Sequence, residues 1–454
     1  MAKSFSMTPK RVPAVDTPNR KIKTAIPVPE SLPVLESLRR NEPVSMSGQP
    51  PLLWDYGEGA SVFDQWGNQW IDWSSGVLIA NAGHNHPKIR RAIIEQAEKG
   101  LLTSYCFPNE PRARLAELLV ELTPPSLDKA FILTTGSETV ECTLKLMRTY
   151  GLQKGGKKKI TIVSFENAFH GRTLGAQMLG GIAKLKEWIV NLDPNIVQVP
   201  FPDGFRTTDT SFSLFEKKLA EQGVEAADVA GVILETYQGG GAGFAPAEYI
   251  KALRQWCDKH GALLTFDEVQ AGFGRTGTLF GFEHYGVLPD MICLGKGISS
   301  CLPVSAVVGR DEVMNLYGPN EMTSTHTGNP ICAAAAVANI RVITEEGLVE
   351  NAARMGELLH DSLHGLKNKY DSVIGSVQGK GLVAGLHMIK NAANEPDGEL
   401  AWEIVNSCFE KGLLMFAPVG FGGATVKICP PLVISEELIG EGLAVLDESI
   451  EENL

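Results

Sequence analysis

Between about residue 130 and residue 297 the chain repeats one rhythm: a short apolar run, a polar or glycine-bearing break, then a helical stretch. KAFIL leads into TTGSE and a helix, ITIVSF into ENAFHG, VAGVILE into TYQGGG, ALLTFD into EVQAG, and DMICL into GKG. Short apolar runs bounded by glycine read as buried strands, and their alternation with helices predicts an α/β domain on a mostly parallel sheet. In such sheets function gathers at the carboxyl ends of the strands. Those ends carry Gly136 with Ser137, His170, Glu235, Asp267 and Lys296, which are therefore expected to converge on one crevice.

The remaining sequence divides around this core. A chain of 454 residues is long enough for two or three domains. Residues 1–45 are polar and proline-rich and read as an N-terminal arm, mobile or wrapped on a partner surface. Residues 46–75 alternate, with turn signals at Trp66-Gly67-Asn68, and read as a strand meander forming the first part of a smaller domain. Residues 76–335 form the large domain, with amphipathic helices at 87–102 and 109–122, each opened by a proline signal. Alanine-rich helix then leads into a second α+β segment over 336–454, with strands near 382–387 and 425–428.

Composition narrows the partners. A net charge of -12 disfavours nucleic acid and anionic membranes. No apolar run approaches the roughly 20 residues of a membrane span, and the basic N-terminus lacks an apolar signal region. Eight scattered cysteines without a C-x-x-C pair point to reduced thiols in the cytoplasm, and no ligand spacing supports a metal.

The stretch LLTFDEVQAGFGRTG contains Gly272, Gly274 and Gly277 at the G-x-G-x-x-G spacing. A dinucleotide fingerprint needs those glycines to open a helix, with an acid about 20 residues on. Here TLFGFEHYGVLPD follows, which is glycine-broken and poor in helix formers, and Asp290 comes after a proline rather than a strand. The nicotinamide or flavin reading is set aside. Asp267 needs its own account, because a carboxylate at the end of a buried strand is costly without a partner. It could cap the next turn or pair with Arg275; it could instead face a cationic ring nitrogen. Lys296, alone after an apolar strand and flanked by glycines, decides between them. A lysine in such a place can lose its proton and attack carbonyls. Lysine and acid on successive strand ends are what pyridoxal 5'-phosphate requires: a covalent amine and a carboxylate on the pyridinium nitrogen. Thr134-Thr135-Gly136-Ser137-Glu138 then supplies a strand-to-helix turn suited to a phosphate dianion. Phe169, before His170, can stack on a ring. Gln270 can donate to the ring's phenolic oxygen.

TTGSE, FHGRT, ETYQGGG, DEVQAGFGRTG, LGKGIS and TSTHTGNPICAAAA, in this order, resemble the class III aminotransferases, pyridoxal-phosphate enzymes of fold type I that include the 4-aminobutyrate and ornithine transaminases. The resemblance runs from about residue 50 to about 435. It implies a large domain with a mostly parallel sheet plus a smaller α+β domain, and a homodimer with active sites at the subunit interface, with a tetramer of two such dimers as the larger assembly. It implies that Lys296 binds the cofactor covalently, Asp267 pairs with the ring nitrogen, and Gly136 and Ser137 hold the phosphate. Phe169 would stack on the ring, with His170 and Glu235 beside it, and Gln270 would contact the phenolic oxygen. Thr325 would reach the phosphate of the partner's cofactor. Val77, Arg172 and Lys427 would contact substrate, Arg172 gripping a distal carboxylate.

Three positions depart from the family pattern: Thr236 where proline often follows the glutamate, Cys301 where glycine is frequent, and Lys427 where an arginine usually takes a carboxylate. Lysine is a point charge and cannot make the bidentate fork. The activity implied is transfer of an amino group from an ω-amino acid or related amine (4-aminobutyrate-, β-alanine- or taurine-like) to a 2-oxo acid such as 2-oxoglutarate or pyruvate. Racemase or lyase chemistry on the same scaffold is the alternative.

Overall fold

The computed structural model describes residues 4–454; residues 1–3 of the expected arm lie outside the described residues. The chain forms two compact units, one of residues 87–349 and one of residues 1–86 with 350–454.

The unit of residues 87–349 is built on a seven-stranded sheet. In chain order its strands are β1 (Lys129–Leu133), β2 (Thr161–Phe165), β3 (Ile196–Val199), β4 (Val229–Glu235), β5 (Leu263–Asp267), β6 (Met291–Leu294) and β7 (Ser305–Gly309). Their spatial order is β1-β7-β6-β5-β4-β2-β3. Neighbours from β6 to β3 are parallel, and β7 runs antiparallel between β6 and β1. The strands read as continuous apolar runs because helices cover the sheet; β4 and β5 are buried along their full length. The long helix Gly136–Gly155 follows β1 and packs across β4, β6 and β7. The alanine-rich helix Pro330–Glu345 packs on the helices Pro87–Glu98 and Glu110–Leu122. Its small side chains permit that approach, so the unit continues to residue 349, past the expected limit at 335, and begins at 87 rather than 76.

The other unit carries two sheets, one antiparallel and one mixed, the latter through the parallel pairing of Leu413–Leu414 with Gln69–Asp72. Strands Ile374–Lys380, Val383–Met388 and Thr425–Ile428 form one sheet beneath the helix Gly398–Glu410. The meander Tyr56–Glu58, Ser61–Phe63 and Gln69–Asp72 belongs to the second. The hairpin Val15–Asp16 with Lys21–Ile22 adds to that second sheet, Lys21 pairing with Gln69. Ile22 and Ile26 are buried with Val62, Trp70, Phe409 and Leu414. Over these residues the expected arm is therefore part of its own unit's core. Its polar, proline-rich composition concealed two apolar anchors, Ile22 in the hairpin and Ile26 in an isolated bridge to Lys10.

No helix among the described residues is long and apolar enough to cross a membrane.

Candidate active site

Gly136, Ser137, Phe169, His170, Glu235, Asp267, Gln270 and Lys296 line one cavity of about 150 Å³ at the carboxyl ends of the strands. Each is put there by local structure.

Thr135 caps the helix Gly136–Gly155 with a reciprocal box: its hydroxyl accepts the Glu138 amide, and the Glu138 carboxylate accepts the Thr134 and Thr135 amides at 3.0 and 2.8 Å. The first-turn amides of Gly136 and Ser137 have no partner within a helix, so this terminus suits an anion. The Ser137 hydroxyl accepts the Arg172 amide at 3.3 Å. Gly171, at φ 125°, makes that approach possible, since a Cβ there would lie 2.2 Å from Ser137 Oγ.

Glu235, the last residue of β4, accepts the amides of Phe169 and Gly239 at 2.9 Å each. It thereby fixes the loop that carries Phe169 and His170. Burial pushes its carboxyl up to about 7, His170 opposing and Asp267 reinforcing that rise. Asp267, directly opposite in the register of β5, meets His170 Nδ1 at 2.8 Å through Oδ2 and accepts the Val269 amide at 3.1 Å through Oδ1. Burial alone would lower the His170 imidazole, but the hydrogen bond and charge of Asp267, with Glu235, raise it on balance. His170 Nε2 is buried without a hydrogen-bond partner among the described residues.

Lys296 follows β6 and opens the turn Lys296–Ile298 at φ 41°, a left-handed conformation that is uncommon outside glycine. The Asn339 amide donates to the Gly297 and Ile298 carbonyls at 2.8 and 3.0 Å and pins that turn. Backbone strain held by surrounding structure is frequent where a side chain must be aimed. Burial lowers the Lys296 amine below its ordinary value, while Asp267 and Glu235 oppose the shift. The arrangement therefore favours a nucleophilic amine beside two buried carboxyl groups.

The GFGRTG glycines form an irregular loop after β5, with Gly274 and Gly277 at φ 88° and 86°, and open no helix. Arg172 is exposed, its guanidinium 5.6 Å from the centre of the Phe169 ring.

Four expected residues, Arg172, Thr325, Val77 and Lys427, are not among those lining the cavity. Thr325 is exposed on the loop before Pro330–Glu345 and does not line the cavity. Val77 and Lys427 belong to the other unit. Val77 sits in a turn whose residues Ser75, Gly76, Val77 and Leu78 all have positive φ, from 49° to 66°. A β-branched residue there is a genuine outlier. The Ser74 hydroxyl accepts the Gly76 amide and the Ser75 hydroxyl donates to the Cys429 carbonyl, holding the turn. Lys427 lies on the strand Thr425–Ile428 opposite Gly385 and is 1% exposed.

Thr135, from the expected phosphate turn, also lines the cavity, as do Gly171 and Val269, to which no role was assigned. Val269 lies in the turn after β5, its amide donating to Asp267 Oδ1, where strand alternation gives no signal.

These groups fit pyridoxal phosphate. An amine with reduced proton affinity, a carboxylate buried beside a histidine, an amide-rich helix start and an aromatic ring surround one cavity. The model of the class-III aminotransferases matches residues 44–450. The acetylornithine aminotransferase of Clostridium acetobutylicum is 35% identical over 89% of this chain and 97% of its own. The 4-aminobutyrate aminotransferase of Mycobacterium leprae is 34% identical over 94% and 97%. A PLP-bound amine transaminase from an uncultivated Pseudomonas species superposes with a TM-score of 0.82 at 27% identity, covering 91% of this chain and 96% of that one. The chain belongs to the class III aminotransferases, enzymes that work with pyridoxal 5'-phosphate on the type I fold.

Proposed function

We propose that this enzyme takes its amino group from an ω-amino acid or related amine (4-aminobutyrate-, β-alanine- or taurine-like) and passes it to 2-oxoglutarate or pyruvate. The observation that carries this reading is Arg172: an exposed guanidinium 5.6 Å from the ring of Phe169, which lines the Lys296 cavity, and next in sequence to Gly171, which also lines it. There it suits an acidic group remote from the reacting amine, through a charge-assisted pair.

Bound pyridoxal phosphate supplies an electron sink for the pair left when a Cα–H bond breaks. Lys296 would hold it covalently through Nζ, Asp267 would keep the ring nitrogen protonated, and Gly136 and Ser137 would receive the phosphate. The Lys296 amine, when free, would be the group to take the Cα proton, a role its lowered proton affinity suits. Gln270 would meet the phenolic oxygen and Phe169 the ring face. Lys427 and Val77 are assigned to the substrate on the family resemblance, as is the reach of Thr325 to a partner's phosphate in a homodimer. Exposure of Thr325 away from this chain's cavity supports the last assignment. Eight cysteines and no disulfide among the described residues agree with a cytoplasmic setting.

A donor screen against both acceptors tests the reading. Turnover with ω-amino acids that collapses in Arg172→Met, while a monoamine without an acidic group is spared, is expected. Equal loss on both donor types contradicts the role of Arg172. Racemisation of an α-amino acid with no oxo product contradicts the transfer reaction for that substrate.

A further inference from the structure

Glu235 and Asp267, the last residues of β4 and β5, line the cavity, and the residue that follows each of them does not. Thr236 and Glu268 both have no exposed surface, and neither lines the cavity. Behind the sheet the Thr236 hydroxyl donates to Glu268 Oε1. The same oxygen accepts the Phe282 amide at 2.8 Å, and Glu268 Oε2 accepts the Gly281 amide at 2.8 Å. Those amides begin the short helix Gly281–Tyr285, whose Tyr285 hydroxyl returns to the Thr236 carbonyl at 2.5 Å. Gly281 is required for this closeness: a Cβ there would sit 2.9 Å from Thr236 Cγ2 and 3.0 Å from Ala271 Cβ.

The backbone alone joins these strand ends weakly. The last ladder pair is Asp267 with Glu235, and beyond it the Thr236 amide reaches the Asp267 carbonyl only at 3.4 Å, longer than a usual N–H to O bond. The side-chain bond supplies the tie where the ladder runs out. It is also a costly tie. Burial pushes the Glu268 carboxyl up to about 7 against three donors that favour its charged form. An apolar pair of similar volume could fill the space without that penalty. Thr236 stands where the family often has proline, which has neither hydroxyl nor amide to give.

We propose that Thr236 and Glu268 are positioning residues that fix the spacing of Glu235 and Asp267 across the ends of β4 and β5, and so the fit of the cofactor ring against Asp267. This rests on the placement of Asp267 and Glu235 at the cofactor, made above.

Apo-protein of wild type, T236V, T236S, E268Q and D267N is titrated with pyridoxal phosphate, recording the dissociation constant and the pH midpoint of the visible band of the bound cofactor. T236V is expected to bind about tenfold more weakly with a displaced midpoint, the scale of one hydrogen bond to a charged group. T236S, which keeps the hydroxyl, is expected to stay within about twofold. Wild-type affinity and midpoint in T236V, or equal impairment of T236S and T236V, overturns the proposal. E268Q keeps an acceptor for only part of the cluster, and a wild-type affinity and midpoint there count equally against it. D267N separates the two readings. A changed band in D267N with an unchanged T236V defeats the positioning role alone; an unchanged band in D267N defeats the placement of Asp267 itself.

Discussion

Two layers of polar residues meet at the ends of β4 and β5, one residue apart. On the cavity side Glu235 and Asp267 face Lys296; on the sealed side Thr236 and Glu268 face the start of the helix Gly281–Tyr285. Asp267 and Glu268 are neighbours of nearly identical chemistry, yet their partners differ in kind. Both oxygens of Glu268 are engaged by the chain's own hydroxyl and amides. Asp267 has one amide and a histidine, and its charge acts on an amine across a cavity. Two adjacent acids at one strand end are thus divided between an open cavity and a sealed hydrogen-bond cluster.

That contrast breaks most visibly at the cavity. Lys296→Ala and Asp267→Ala are each expected to lower turnover by at least about 100-fold, consistent with losing proton transfer or the charge that supports it. Melting temperature should change little, because neither side chain carries core packing. Near-normal turnover in Asp267→Ala, measured with a coupled assay at saturating cofactor, would end the division of labour.

The sealed layer is expected to answer in stability. Glu235 and Glu268 both titrate near 7 in the fold against an ordinary 4.5. Between those values the folded chain binds more protons than the unfolded one, so stability falls as pH rises through that window. Scanning calorimetry of the apo-protein should show this decline, and Glu268→Gln should flatten it while leaving the Glu235 part. A slope identical to wild type would mean that Glu268 is already ionised throughout.

The smallest effect is expected outside both layers. Lys427→Ala should weaken one half-reaction several-fold more than the other, since a single charge contact is at stake. Stopped-flow traces of each half-reaction measure this, and equal losses would remove Lys427 from the substrate.

The cavity layer was legible in the sequence because each of its residues ends an apolar run, and because Lys296 and Asp267 are chemically specific as a pair. Val269 was overlooked because it lies in the turn after β5, where strand parity no longer holds. The sealed layer was less legible: Thr236 stood out only as a departure from a family pattern, and its bond to Glu268 depends on a helix start 13 residues further along. The strand Ile374–Lys380 was missed since Gly375 and Gly379 weaken its local signal; pairing with Val383–Met388 makes it a strand. Nothing local in SSGVLIA announces a left-handed turn through Val77, which is held by a hydrogen bond to Cys429, 354 positions away.

Reduction of the cofactor-loaded enzyme with borohydride, followed by peptide mapping, tests the arrangement most directly. The account predicts a pyridoxyl group on Lys296 and nowhere else, with loss of the visible band. A label on another lysine, or no covalent label on a saturated enzyme, would contradict it.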